Sequence, residues 1–169
     1  MAQRGAIGYT GDMISQKARY SFKALIALAR EPGATLQIRD IAAQENIPRA
    51  FLEQILLDLK RHRMVGSRRG KEGGYFLARA AEEISLGQIL RLSDGPIAPL
   101  SCLSKHSYRR CADCDSEALC ALRIAFTESF EAQVDLLDRT SLATAVMRAD
   151  AASSREDPAP STSYEPEDA

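Results

Sequence analysis

The sequence predicts a mainly α-helical chain with a small β-hairpin wing. In domain terms this is a winged helix-turn-helix followed by a long dimerisation helix. Three observations carry that expectation. Between residues 35 and 79, two short amphipathic segments are joined by a tight turn. A Gly-rich, Arg-rich hairpin sequence comes directly after them. Farther on, a long apolar stripe recurs at helical spacing, and the preceding domain is already complete without it.

The second short helix, within residues 47–60, is the best marked. Phe51, Leu52, Ile55, Leu56 and Leu59 recur at helical spacing and predict one buried stripe. Arg49, Ala50, Glu53 and Lys60 fall mostly on the other side. Pro48 suits a first helical turn, where its missing N–H is not needed. The shorter helix, residues 38–43, puts Ile38, Ile41 and Ala42 on one face. Gln44-Glu45-Asn46 links the two, and Asn46 tolerates the left-handed backbone of a tight turn. In residues 64–79, two short strands flank a tip rich in Gly and Arg, which reads as a wing.

Charge separates the functional classes. The whole chain is −1, with 22 basic and 23 acidic residues. Residues 35–79 hold nine Lys/Arg against five Asp/Glu, a local net of +4, while residues 151–169 carry one Arg against five acids, a net of −4. A basic reading head beside an acidic tail points to nucleic acid, which the overall balance alone would hide. A solvated charged face on a protein-interaction module is the bland alternative. No Ser/His/Asp arrangement or paired-carboxylate motif stands out, so no enzyme is expected. Residues 70–74 lack the Gly-Lys-Ser/Thr ending and following helix of a P-loop. No apolar run is long enough for a bilayer and no cleavable leader is visible, which predicts a cytoplasmic protein without a membrane partner.

In order, residues 1–12 read as a flexible extension. Residues 13–94 read as the DNA-binding domain, opening with a helix from an N-cap at Ser15 to Arg30 with Ala18, Phe22, Leu25, Leu28 and Ala29 on its stripe. Ser85 and Gln88 have capping-box spacing for a further helix, which Asp94-Gly95-Pro96 ends. Residues 95–116 read as a cysteine-rich loop. Residues 117–150 read as the dimerisation helix, with Leu119, Leu122, Phe126, Phe130, Val134 and Leu137 in step, plus a short terminal helix. A second copy of the same helix is the preferred cover for that stripe. Residues 151–169, rich in Pro, Ser and charge, read as a disordered acidic tail.

The four cysteines, Cys102, Cys111, Cys114 and Cys120, fall within nineteen residues. Such clustering suggests metal or redox chemistry more than structural disulfides. Cys114 and Cys120 flank the start of the long helix, and Lys105, Arg109 and Arg110 lie near, so thiolates are expected there. An iron–sulfur cluster, a structural zinc and a thiol switch between Cys111 and Cys114 all stay open at this point, as does the bland reading of small loop residues. His106 sits in the same loop as a spare donor, and His62 ends the second helix beside Arg61 and Arg63.

These features together resemble the Rrf family of winged-helix transcriptional regulators, in particular its iron–sulfur-sensing group. The resemblance spans residues 13–150. It rests on Lys17-Ala-Arg-Tyr20, Phe51-Leu-Glu-Gln54, Arg69-Gly-Lys-Glu-Gly-Gly-Tyr75, Gly95-Pro96, the cysteine loop and Thr140-Ser-Leu142. It implies a homodimeric regulator of double-stranded operator DNA, acting as a repressor, with a 2Fe–2S cluster favoured and 4Fe–4S the alternative. Cys114 and Cys120 match the family's last cysteine interval, and Cys102 takes the first place at a longer spacing. Arg123 and Arg19 occupy positions where relatives carry a His or an acidic fourth ligand, which leaves that role to Cys111. Pro48, Ala50 and Glu53 match base-reading positions, with Arg49 beside them. Arg69 is expected in a minor groove, and Arg68, Lys71, Lys60 and Arg61 on phosphates. A zinc-stabilised or thiol-switched regulator, or a redox or metal-handling protein using the winged helix for protein contacts, are the alternatives.

Overall fold

A computed structural model describes residues 14–70, 73–112 and 114–154. The chain runs α1 (Gln16–Arg30), α2 (Ile38–Gln44), α3 (Arg49–Arg61), β1 (Val65–Arg68), β2 (Gly74–Leu77), α4 (Leu86–Asp94), α5 (Ala121–Arg139) and α6 (Leu142–Ser153). Single 3₁₀ turns at Ala81–Glu83 and Ser101–Leu103 complete it. This is the expected mainly helical chain with one antiparallel hairpin.

One core holds the reading head together. Leu25 of α1, Ile41 of α2, Leu52, Ile55, Leu56 and Leu59 of α3, and Ile89 of α4 are all essentially fully buried. α1 packs against α3, α4 and α6, which makes it the scaffold behind the helix-turn-helix. The α2–α3 turn uses Asn46 at φ 51°, the left-handed conformation its side chain was expected to tolerate. The wing pairs Val65 with Leu77 and Arg68 with Gly74. Leu36 adds a third rung: its N–H donates to the Tyr75 carbonyl at 2.9 Å, and the Tyr75 N–H donates back at 2.8 Å. Gly74 permits that approach, because a Cβ there would lie 2.4 Å from the Leu36 carbonyl oxygen.

A second tie fastens the long helix to the domain. The Leu86 N–H donates to the Thr140 carbonyl at 2.9 Å, and the Leu142 N–H to the Ile84 carbonyl at 2.7 Å. Ile84 and Leu142 are buried on either side of it. The α4 capping box forms as expected, with Ser85 and Gln88 each closing on the other's backbone N–H. Ser15 caps α1 by accepting from the Ala18 N–H at 3.1 Å, and its own N–H donates to Asp94 at 3.0 Å. Ser15→Ala should therefore cost about 1 kcal/mol. The midpoint of urea unfolding is expected to fall accordingly; an unchanged midpoint would contradict the cap.

Several expectations need correction. Phe51 is 40% exposed rather than part of the buried stripe. The core repeat is 52, 55, 56 and 59; Phe51 lies at its rim, edge-on to Tyr20 with ring centroids 5.6 Å apart. Pro48 is the N-cap of α3, just outside the first turn. α5 begins at Ala121 with Cys120 as its N-cap, so residues 117–119 belong to the loop. α6 continues to Ser153, past the expected stop near Arg148, because its second half is rich in strong helix-forming Ala. Arg30 of α1 holds that extension through Asp150 at 2.6 Å. Residues 151–153 are thus helix rather than tail. The expected flexible extension at 1–12 and the rest of the acidic tail lie outside the described residues.

The α5 stripe divides in two. Phe130 and Val134 are buried against the domain, whereas Leu119, Leu122 and Phe126 are 80%, 60% and 44% exposed. α5 packs chiefly on α4 and on the Ser101–Leu103 turn. Its first half therefore leaves a row of large apolar side chains uncovered within one chain.

Candidate functional site

The outward face of α3 follows from its buried one. With Leu52, Ile55, Leu56 and Leu59 turned inward, Arg49, Ala50, Glu53 and Gln54 are left exposed. Pro48 is exposed at the entry, directly before them. Arg49, Ala50 and Glu53 thus form the free first turns of the second helix of the helix-turn-helix, the part that can reach base edges in a major groove.

The expected phosphate contacts are less uniform. Lys60 donates to the Ser67 hydroxyl at 2.6 Å, tying α3 to the wing. Arg61 pairs with Asp58 at 3.1 Å, and Lys17 of α1 reaches the same carboxylate at 2.8 Å. The hydrogen bond from Lys17 holds the Asp58 carboxyl below the ordinary carboxylate range. Solvent-exposed links of this kind are worth roughly 0–1 kcal/mol, so a phosphate can compete for either cation. Arg68 lies over the Phe76 ring, 5.0 Å from its centroid. Arg69 is exposed at the start of the wing tip. Lys71 lies outside the described residues.

The cysteine loop crosses from the end of α4 to the start of α5. Cys102 is buried in the Ser101–Leu103 turn; Cys111, Cys114 and Cys120 are half-buried. Cys114 and Cys120 lie close enough for their thiols to influence one another. Desolvation, and then the neighbouring Cys120 sulfur, push the Cys114 thiol above its ordinary value, while Arg110 pulls the other way. The expected ready thiolate is thus corrected at Cys114. Arg110 instead spends its guanidinium on the Cys114 and Asp115 carbonyls, at 2.8 and 3.2 Å. The structure thus brings Cys114 close to Cys120, the two cysteines that flank the start of α5.

As donors, the thiols suit a soft iron–sulfur group: two lie close together, and a third is fixed to the same helix. They do not form a closed cage, because among the described residues no three Cys, His, Asp or Glu converge on one point. His106 lines a cleft of about 480 Å³ together with His62, Met64 and Pro96. That cleft places the loop against the end of α3 and the start of the wing.

In the sequence, Arg123 stands out only as a position that cannot be a histidine ligand. In the structure it is the anchor of the loop. Its guanidinium donates to the Cys102 carbonyl and lies 3.8 Å from Glu117, which accepts from the Tyr108 hydroxyl. A basic residue one turn after Cys120, on a loop-facing helix start, was the available signal.

Among the described residues no helix is long and apolar enough to cross a membrane. Residues 14–148 match the Rrf2 family, described as an iron-dependent transcriptional regulator. An rrf2-like HTH-type regulator of Rhodobacter capsulatus is 44% identical over 134 residues, covering 77% of this chain and 89% of that one. CymR, the global cysteine regulator of B. subtilis, has a similar structure (TM-score 0.67, 29% identity), covering 80% of this chain and 96% of its own. IscR of T. potens superimposes with a TM-score of 0.64 at 25% identity, covering 90% and 97%. The match covers the reading head, the loop and the long helix together, and the relatives are regulators rather than enzymes. The chain belongs to the Rrf2 family of helix-turn-helix transcriptional regulators.

Proposed function

We propose that the chain is a cytoplasmic homodimeric repressor of double-stranded operator DNA, whose binding is set by the state of its cysteine loop. The observation that carries the DNA reading is the exposed α3 face of Arg49, Ala50 and Glu53 beside a wing bearing Arg68 and Arg69. Two copies, joined through the uncovered half of α5, would present two such faces to two half-sites. Arg49, Ala50 and Glu53 then read bases and Arg69 enters a minor groove, with Pro48 fixing the entry of α3. Lys60, Arg61, Arg68 and Lys71 hold phosphates.

The same reading assigns Cys102, Cys114 and Cys120, with Cys111 as fourth donor, to an iron–sulfur cluster. Such a group supplies one-electron redox chemistry and a lability that can report iron or oxidant levels. The chain's own residues do the coupling. Arg123 and Glu117 hold the loop on the first turns of α5, and His106 and Ser107 line the cleft shared with His62 and Met64 of the reading head. A change in loop order thereby bears on both the paired helices and the DNA-reading face. The approach of Cys114 to Cys120 supports a second reading, a thiol–disulfide switch without metal. Iron and sulfide analysis of anaerobically purified protein separates the two.

A site-selection experiment tests the DNA assignment. Glu53→Ala should relax base preference, since a major-groove carboxylate accepts from cytosine and repels acceptor-only edges. Arg69→Ala should instead weaken sites flanked by narrow A/T minor grooves. Lys71→Ala should weaken all sites evenly and flatten the salt slope by about one unit. Identical site preferences for the Glu53 and Arg69 variants would refute this division of labour.

A further inference from the structure

A cavity of about 680 Å³ lies behind the wing. It is lined by Leu28 and Pro32 at the end of α1, by Phe76 and Leu77 of β2, and by Val146 and Met147 of α6. Phe76 lies close across Gly66, where an added Cβ would meet its ring at 2.4 Å. Arg68 sits over that ring, 5.0 Å from its centroid, and also lines the cavity. Met147 is 64% exposed there, on the helix that leads directly into the acidic segment.

We infer that residues 155–169 dock into this cavity and onto Arg68, competing with DNA for the wing. The inference rests on the DNA-binding role proposed above for Arg68. Three facts support this occupant. The segment carries Arg155 against Glu156, Asp157, Glu165, Glu167 and Asp168, a net of −4; the cavity lining has Glu31 and Glu82 beside Arg68 and Arg79, and with Arg79 paired to Glu83, Arg68 at the wing edge is the cation that meets it. It contains apolar groups sized for the cavity, Pro158, Pro160 and the aromatic Tyr164. It also starts from the right place: α6 forms one wall of the cavity, and its far end is pinned to α1 by Arg30 and Asp150. Fifteen extended residues span about 50 Å, several times the width of a small domain's wing, so reach does not limit the contact. DNA and the acidic segment would then exclude one another at Arg68. The segment would lower affinity for non-operator DNA most, because binding there rests almost wholly on phosphate charge.

The test compares the full chain with residues 1–154, which keep α6 whole. Removal of residues 155–169 should raise affinity for non-operator duplex by about 5-fold or more at low salt, with the gain vanishing at high salt. In carbon-13 methyl spectra of the methionines, the Met147 signal should differ between the two chains. Tyr164→Ala and the cavity-blocking Met147→Glu should each reproduce the DNA effect of truncation within the full chain. An unchanged Met147 signal overturns the docking, even if affinity rises through long-range charge alone. A Met147 difference that depends on protein concentration also overturns it, because the occupant is then a second copy. Failure of both chains to bind any DNA sinks the regulator reading instead, and leaves the Met147 comparison to decide docking by itself.

Discussion

A Phe126→Asp chain should break the proposed dimer, run as a monomer and lose affinity for a two-half-site operator by about 100-fold or more. Leu122 and Phe126 lie uncovered on the first half of α5, with Leu119 exposed just before it, whereas Phe130 and Val134 farther along are buried against the domain. Each large apolar side chain fully buried at an interface contributes about 1.5–3 kcal/mol, and two-fold symmetry counts every contact twice. In the proposed interface a carboxylate at Phe126 would be buried against apolar surface, which costs more than the lost contact alone. Joining two readers multiplies operator affinity by about 10²- to 10⁴-fold through effective concentration, and that factor disappears with the dimer. Because Phe126 is 44% exposed within one chain, the monomer itself should keep its fold and its weak half-site affinity. Sedimentation of the variant, paired with titrations on full and half operators, checks this. A dimeric variant with unimpaired operator binding would place the interface elsewhere.

Cys102→Ala, Cys114→Ala and Cys120→Ala should each abolish retained iron and shift operator affinity by about 5- to 150-fold, the range of a 1–3 kcal/mol coupling. The three need not act alike on the bare fold. Cys102 is 5% exposed in a turn that Arg123 clamps through its carbonyl, so Cys102→Ala also loosens packing beside α5. Cys114 and Cys120 are half-buried partners, and their loss should spare the melting temperature of the metal-free chain. Cys111→Ala identifies the fourth donor: lost colour assigns it to Cys111, and retained colour moves it to another residue. Normal iron content in any of the other three variants would remove that cysteine from the ligand set.

What the sequence disclosed and what it hid divide along physical lines. Caps and turns were legible because they depend on neighbouring residues alone: Ser15, the Ser85–Gln88 box and the left-handed Asn46 all stand where local chemistry put them. The buried repeat of α3 was legible save for Phe51, which sits at the margin of the stripe, where an aromatic partner on another element decides exposure. Long-range effects were not legible. Lys60 is drawn to Ser67 and Lys17 to Asp58 by geometry that no spacing records, whereas the Asp58–Arg61 pair follows from i,i+3 spacing on α3. The approach of Cys114 to Cys120 depends on how an irregular loop closes. The role of Arg123 emerged only once the loop carbonyl it clamps was in view. The start of α5 was placed four residues early because residues 117–119 continue the stripe in pattern while turning outside the helix.

The most direct test of a cysteine loop that governs DNA binding is a paired operator titration on one anaerobic preparation. Half is kept as purified and half is stripped of iron, with iron, sulfide and the visible spectrum measured on both. The expected result is a brown protein with iron and sulfide in equal amounts, whose operator affinity differs at least 5-fold from that of the stripped form. A colourless, iron-free preparation, or identical affinities for the two halves on every operator tried, would contradict it.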